Sequence, residues 1–159
     1  MPNPLAPILY LPHGGGPLPL MGDPSMANLT AFLRDDAPAL LGRPDAILMV
    51  SAHWEEVHPT LTSAPNPGLL YDYYGFPPES YQIQYLAPGA PQLAQTVFDL
   101  LHESGFQPRL SAERNFDHGM FVPLKLIYPK ADIPCVQLSL LKGLLPARHI
   151  ALGKALAPL

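Results

Sequence analysis

A chain of 159 residues, 48% of them hydrophobic and 14% charged, is long enough for one domain with a sizeable core and too short for two ordinary ones. That balance excludes a disordered polymer. The formal net charge is -4 and the 9 basic residues are scattered, so no Lys/Arg run offers a footprint to nucleic acid.

In chain order, Ile8 to Leu11 is a short apolar run that reads as a buried strand leaving into the loop Pro12-His13-Gly14-Gly15-Gly16-Pro17. Leu29 to Leu41 has helical spacing, with Asp23 or Ser25 upstream as caps. Ala46 to Val50 is the clearest buried strand and ends at Ser51-Ala52-His53. Pro59 to Ala64 and Tyr81 to Tyr85 read as further strands. Pro91 to Ser104 is an amphipathic helix, with Pro91 in its first turn, Leu93, Val97, Leu100 and Leu101 on one face, and Gly105 as its stop. Pro108 to Ala112 reads as a strand. Gly119 to Tyr128 reads as a helix, with Pro123 expected in its first turn. Ile133 to Leu140 is a strand and Ala147 to Leu156 a last helix.

Strands alternating with helices predict a single α/β domain over residues 1–159, with a mixed or parallel central sheet flanked by helices. The 22 prolines fall between periodic segments, as in Phe76-Pro77-Pro78, and punctuate loops rather than forming a linker. The single cysteine, Cys135, lies in an apolar run and reads as a buried structural thiol. The opening Met-Pro-Asn-Pro-Leu-Ala-Pro lacks the charged and apolar regions of a secretory leader. No stretch approaches the ~20 apolar residues that span a bilayer. No membrane association is expected, and the default location is cytoplasmic.

Ligands of open α/β sheets gather beyond the carboxyl ends of strands. His13 and His53 both sit there, each just after an apolar run. Imidazole pairs in one cleft suit zinc or non-haem iron. A tight glycine loop in which His13 is incidental, and a His53 satisfied by a backbone carbonyl, are the competing structural readings. His118 follows Asp117 at a helix start and precedes Gly119, a setting that suits acid–base work; the competing reading is that Asp117 caps the helix while His118 packs. His58 and His102 look ordinary, and His149 lies in the last helix. No Gly-x-Ser-x-Gly elbow and no P-loop occur.

Pro12-His13-Gly14, the strand Ala46 to Val50 into Ser51-Ala52-His53-Trp54, and Phe116-Asp117-His118-Gly119 match a known pattern in order. Asp72-Tyr73-Tyr74-Gly75-Phe76-Pro77, Tyr85-Leu86-Ala87-Pro88-Gly89 and Ile133-Pro134-Cys135-Val136-Gln137-Leu138-Ser139 match it as well. Through them the chain resembles the DOPA-dioxygenase-like branch of the LigB superfamily of class III extradiol ring-cleaving dioxygenases. The resemblance implies ring opening of a catechol-type substrate by O2 at non-haem Fe(II). It implies His13 and His53 as metal ligands and His118 as an acid–base or neighbouring histidine, with zinc able to occupy the same ligands. Members of this branch run longer, into a further strand with a histidine in a Ser-Gly-Asn-like loop and a later histidine. The ending at Leu159, without capping glycine or polar tail, reads as a truncation. Glu55, Glu56, His149 or a second chain are then the candidates for a third ligand. Two other readings stand beside the dioxygenase: a non-catalytic relative that binds through a vestigial metal site, and a zinc hydrolase using Glu55. The loop Tyr71 to Tyr74 either lines an aromatic pocket by stacking or packs over the sheet edge. An incomplete sheet would leave an open strand edge that favours a homo-oligomer.

Overall fold

The computed structural model describes residues 6–159, so most of the N-terminal stretch read above for a leader, residues 1–5, lies outside the described residues. The chain forms an α/β domain around a four-stranded mixed sheet of order β1-β6-β2-β4, where β1 is Ile47–Glu56, β2 Thr60–Thr62, β4 Arg109–Ser111 and β6 Cys135–Leu141. β1 runs parallel to β6 and β2 parallel to β4, while β2 meets β6 antiparallel. A separate parallel pair, β3 (Leu69–Leu70) and β5 (Phe116–Asp117), was not legible in the sequence pattern.

Helices cover both faces. α3 (Pro91–Glu103) buries Ala94, Val97 and Leu101 against Val136 and Leu138 of β6, joined by Leu152 of α5 (Pro146–Ala155). The other face carries a larger core of Leu33, Phe116, Met120, Phe121, Leu124 and Cys135. Its helices are α1 (Ala27–Ala31) and α2 (Ala37–Leu41), separated by one π-helical turn at Phe32–Asp36, and α4 (His118–Ile127). Cys135 faces one core and Val136 the other, the two-residue alternation of a strand buried on both faces. Among the described residues no helix is long and apolar enough to cross a membrane.

Three sequence expectations fail. Ile8 to Leu11 forms no strand: Leu9 and Leu11 pack against the larger core, while Ile8 is 96% and Tyr10 99% exposed. A strand needs a ladder partner, and β1 pairs only with β6 along the described residues. Tyr81 to Tyr85 is not a strand either. Pro77 and Pro78 start a 3-10 turn, Pro78–Gln82, and the Tyr71 hydroxyl and Lys125 amine donate to the carbonyls of Ile83 and Gln84. Pro123 lies inside α4 rather than in its first turn, because the helix starts at His118; the Gly119 carbonyl thereby loses its usual helical donor.

Candidate metal centre

Three chain segments deliver three imidazoles to one place. His13 arrives on the glycine loop. Gly14 there has φ 82, and a Cβ on it would lie 2.9 Å from both Pro19 Cγ and Met26 Sδ, so only glycine lets the loop fold this tightly onto the first helical turns.

His53 arrives on β1, which runs six residues past the strand end expected at Val50. The ladder to β6 holds from Ile47↔Cys135 to Ser51↔Ser139, then resumes at Glu55↔Leu140. Ala52, His53 and Trp54 are extra residues on the β1 side, a bulge of the kind that re-aims a side chain next to a site. His118 arrives as the first residue of α4, directly after β5.

The ligand atoms of His13, His53 and His118 all lie within 4.8 Å of one another. The two Nε2 atoms of His13 and His53 face each other at 2.6 Å. Two neutral imidazoles cannot approach lone pair to lone pair without a shared proton or a cation between them. The His118 ring lies 4.1 Å from that of His53 and 4.8 Å from that of His13, centroid to centroid.

His118 has a partner that sequence adjacency concealed. Its Nδ1 lies 2.7 Å, and its backbone N 3.0 Å, from Asp72 Oδ1. A carboxylate only accepts, so Nδ1 keeps its proton and donates it to Asp72, which leaves Nε2 as the lone-pair nitrogen of the ring. Asp117 makes no side-chain cap bond to α4; Asp72, 46 positions away, caps it instead. Buried Asp117 accepts from Ser51 Oγ at 2.8 Å and from the Gln137 amide.

The donor set fits a divalent transition metal. Burial, then repulsion from neighbouring imidazoles, pushes His13 and His53 below their ordinary value of 6.5, which keeps them neutral and able to ligate. His13 Nδ1 is buried with no hydrogen-bond partner, a polar atom left over where the ring turns its other nitrogen to the site. The remaining candidates for a third ligand lie outside this group. Glu56 accepts from the Trp54 indole at 3.0 Å, and both His149 nitrogens are engaged, with Leu141 N and Leu145 O. Glu55 is not among the converging residues.

The other residues singled out in the sequence take structural places. Cys135 is buried, its thiol pushed up to about 12 by burial. His102 stacks on Phe98. In the tyrosine loop, the Tyr71 and Tyr73 hydroxyls donate to the carbonyls of Ile83 and Ser80 and Tyr74 is 91% exposed. Of the three tyrosines, Tyr73 alone reaches the site, its ring 5.4 Å from that of His118.

The sign of these shifts sets the pH response of the metal-free chain. His13 and His53 have folded values below 6.5, so the unfolded chain takes up protons first. Their contribution to stability is complete above pH 6.5 and declines as the pH falls below it. Burial raises the Asp72 carboxyl, but hydrogen bonds from the His118 ring and amide outweigh it and hold the value below 3.8, which adds a second decline below that pH. Urea melts of the metal-free chain should therefore show stability falling from pH 7 to about pH 5, and a His13→Gln/His53→Gln double variant should flatten that slope. An equal slope in the double variant contradicts the assignment.

A protein family described as the catalytic LigB subunit of aromatic ring-opening dioxygenase matches residues 7–159. The dioxygenase tasH of Hapsidospora irregularis is 43% identical over 162 residues, covering 98% of this chain and 50% of that protein. The 4,5-DOPA dioxygenase extradiol of Beta vulgaris is 48% identical over 118 residues, covering 74% of this chain and 44% of its own length. The protein of the same name in Escherichia coli strain K12 is 38% identical over 154 residues, 96% and 54% respectively. A crystal structure of the uncharacterised protein JW3007 from Escherichia coli K12 superposes with a TM-score of 0.54 at 38% identity, covering 70% of this chain and 39% of that one. The chain spans about half the length of the curated relatives it matches.

Proposed function

The chain belongs to the family of the catalytic LigB subunit of aromatic ring-opening dioxygenases, and we propose that it carries the metal-holding and proton-handling residues of an extradiol dioxygenase for catechol-type substrates. The convergence of His13, His53 and His118 is the observation that carries this reading. His13 and His53 would hold the ion, Fe(II) in the working protein. Iron supplies open coordination positions at which the paired oxygens of a catechol and O2 come together; zinc binds such ligands more tightly and is the ion expected after aerobic purification.

His118 has a different part. With Nδ1–H anchored on Asp72, its Nε2 can take a proton from a substrate hydroxyl and return it at the same atom, without changing tautomer at Nδ1. The Tyr73 ring packs against this imidazole at a near right angle and covers one side of it. The second reading, a binding-only relative, is favoured by a converging group that, among the described residues, consists of imidazoles alone, since active iron sites of the facial-triad type include a carboxylate.

The test is anaerobic loading with Fe(II), addition of catechols and O2, and mass analysis of the product. The expected product has the mass of the catechol plus both oxygen atoms, with one O2 consumed per ring opened. His118→Gln should keep its iron and lose about 10²–10⁴-fold in rate. Bound iron with unaltered catechols points to the binding-only relative.

A further inference from the structure

Asp117 is fully buried and is not among the converging ligand atoms. What it does hold is Ser51. The Ser51 hydroxyl donates to Asp117 Oδ1 at 2.8 Å, and with its proton committed there its lone pairs accept the His53 backbone N–H at 3.2 Å. That contact falls inside the bulge, where Ala52, His53 and Trp54 have no ladder partner on β6.

The carboxylate is itself fixed from two other directions. The Gln137 side chain of β6 donates to Oδ2 and accepts from the Asp117 N–H at 3.2 Å, while the Gln137 backbone N–H donates to Thr62 Oγ1 on β2 at 2.9 Å. The Arg114 guanidinium reaches Oδ2 at 3.3 Å and stacks over Trp54, 4.9 Å from its centroid. Two strands, β1 and β6, and the loop carrying Arg114 thus meet on one carboxylate, and the one free arm of the network points at the backbone of His53.

We infer that Asp117, acting through Ser51, is a positioning residue for His53: it locks the β1 bulge so that the imidazole is aimed at the ion before the ion arrives. This rests on the proposed metal-holding role of His53. A buried polar network satisfied on every side rigidifies what it touches, and residues that orient a metal ligand affect affinity without contacting the metal.

The test compares Ser51→Ala and Asp117→Asn with Val136→Ala, a buried substitution on the opposite face of β6. Titration with Co(II) reads affinity and, through the visible spectrum, ligand geometry; imidazole NMR signals of the metal-free chain read the His53 ring directly. Both network variants should lose about 10–100-fold in Co(II) affinity, change the spectrum and shift the His53 signals. Val136→Ala should lower the melting temperature and change none of these. A folded Ser51→Ala with unchanged affinity and unchanged His53 signals overturns the inference. If the unmodified chain takes up no Co(II), shifted His53 signals in the two network variants uphold the positioning role and remove the metal reading instead.

Discussion

Gly119→Ala is expected to lose metal binding and stability together, the reverse of what the same change does in an ordinary helix. Alanine is normally favoured over glycine inside a helix by about 1 kcal/mol. At Gly119, however, a Cβ would lie 2.7 Å from Ser51 Oγ, 2.8 Å from His53 Cδ2 and 3.2 Å from Asp117 Oδ1. These atoms belong to the groups that aim His53, and they are held from the far side by Gln137 and Arg114, so little can yield except the imidazole. Overpacking of this kind costs about 1–3 kcal/mol, and a displaced ligand ring should lower metal affinity by about 100-fold. Gly153 of α5 has nothing within 4 Å of its Cβ position, and Gly153→Ala should stabilise the chain by about 0.5–1 kcal/mol. Urea melts and zinc titrations of both variants check the contrast. A Gly119→Ala protein that melts higher and binds zinc normally contradicts the close approach of α4 to β1.

His13→Ala and His53→Ala should each remove most of the metal affinity while leaving the fold intact. A four-ligand zinc site is worth about 10–16 kcal/mol, or about 3 kcal/mol per ligand, which corresponds to about 100-fold per imidazole. Stability of the metal-free chain should not suffer, because His53 is only partly covered and each truncation relieves the 2.6 Å meeting of two ring nitrogens. With both imidazoles gone, the double variant should bind more weakly than either single variant. His118→Ala should lose less, its ring being held by Asp72 rather than by the other two histidines. Isothermal titration with Zn(II) measures all four. Wild-type affinity in His53→Ala contradicts a shared site.

The sequence disclosed the parts of the site that depend on local pattern. His13 and His53 were legible because each closes an apolar run, and the helix after His118 because Gly119 and the spacing beyond it mark a start. α3 was legible from its 3.6-residue period and β6 from its continuous apolar run. Partners made by folding were not legible: Asp72 joins His118 across 46 positions, and Gln137 joins Asp117 across 20. Adjacency suggested Asp117 as the companion of His118, whereas the backbone turns that carboxylate under the sheet toward Ser51. The bulge in β1 was hidden as well, since Ser-Ala-His-Trp carries no mark of the three residues that leave the ladder. Ile8 to Leu11 shows the limit from the other side. Its alternation is that of a strand, with Leu9 and Leu11 inward and Ile8 and Tyr10 outward, but strand character is completed only by a neighbour.

The central claim is that His13 and His53 hold one metal ion with His118 beside it. Metal analysis of the unmodified chain, purified anaerobically and dialysed against trace Fe(II) and Zn(II), tests it most directly. The account predicts close to one ion per chain, lost in His13→Ala and in His53→Ala and retained in His118→Ala. A chain that emerges without metal, or one whose metal survives both ligand substitutions, contradicts it.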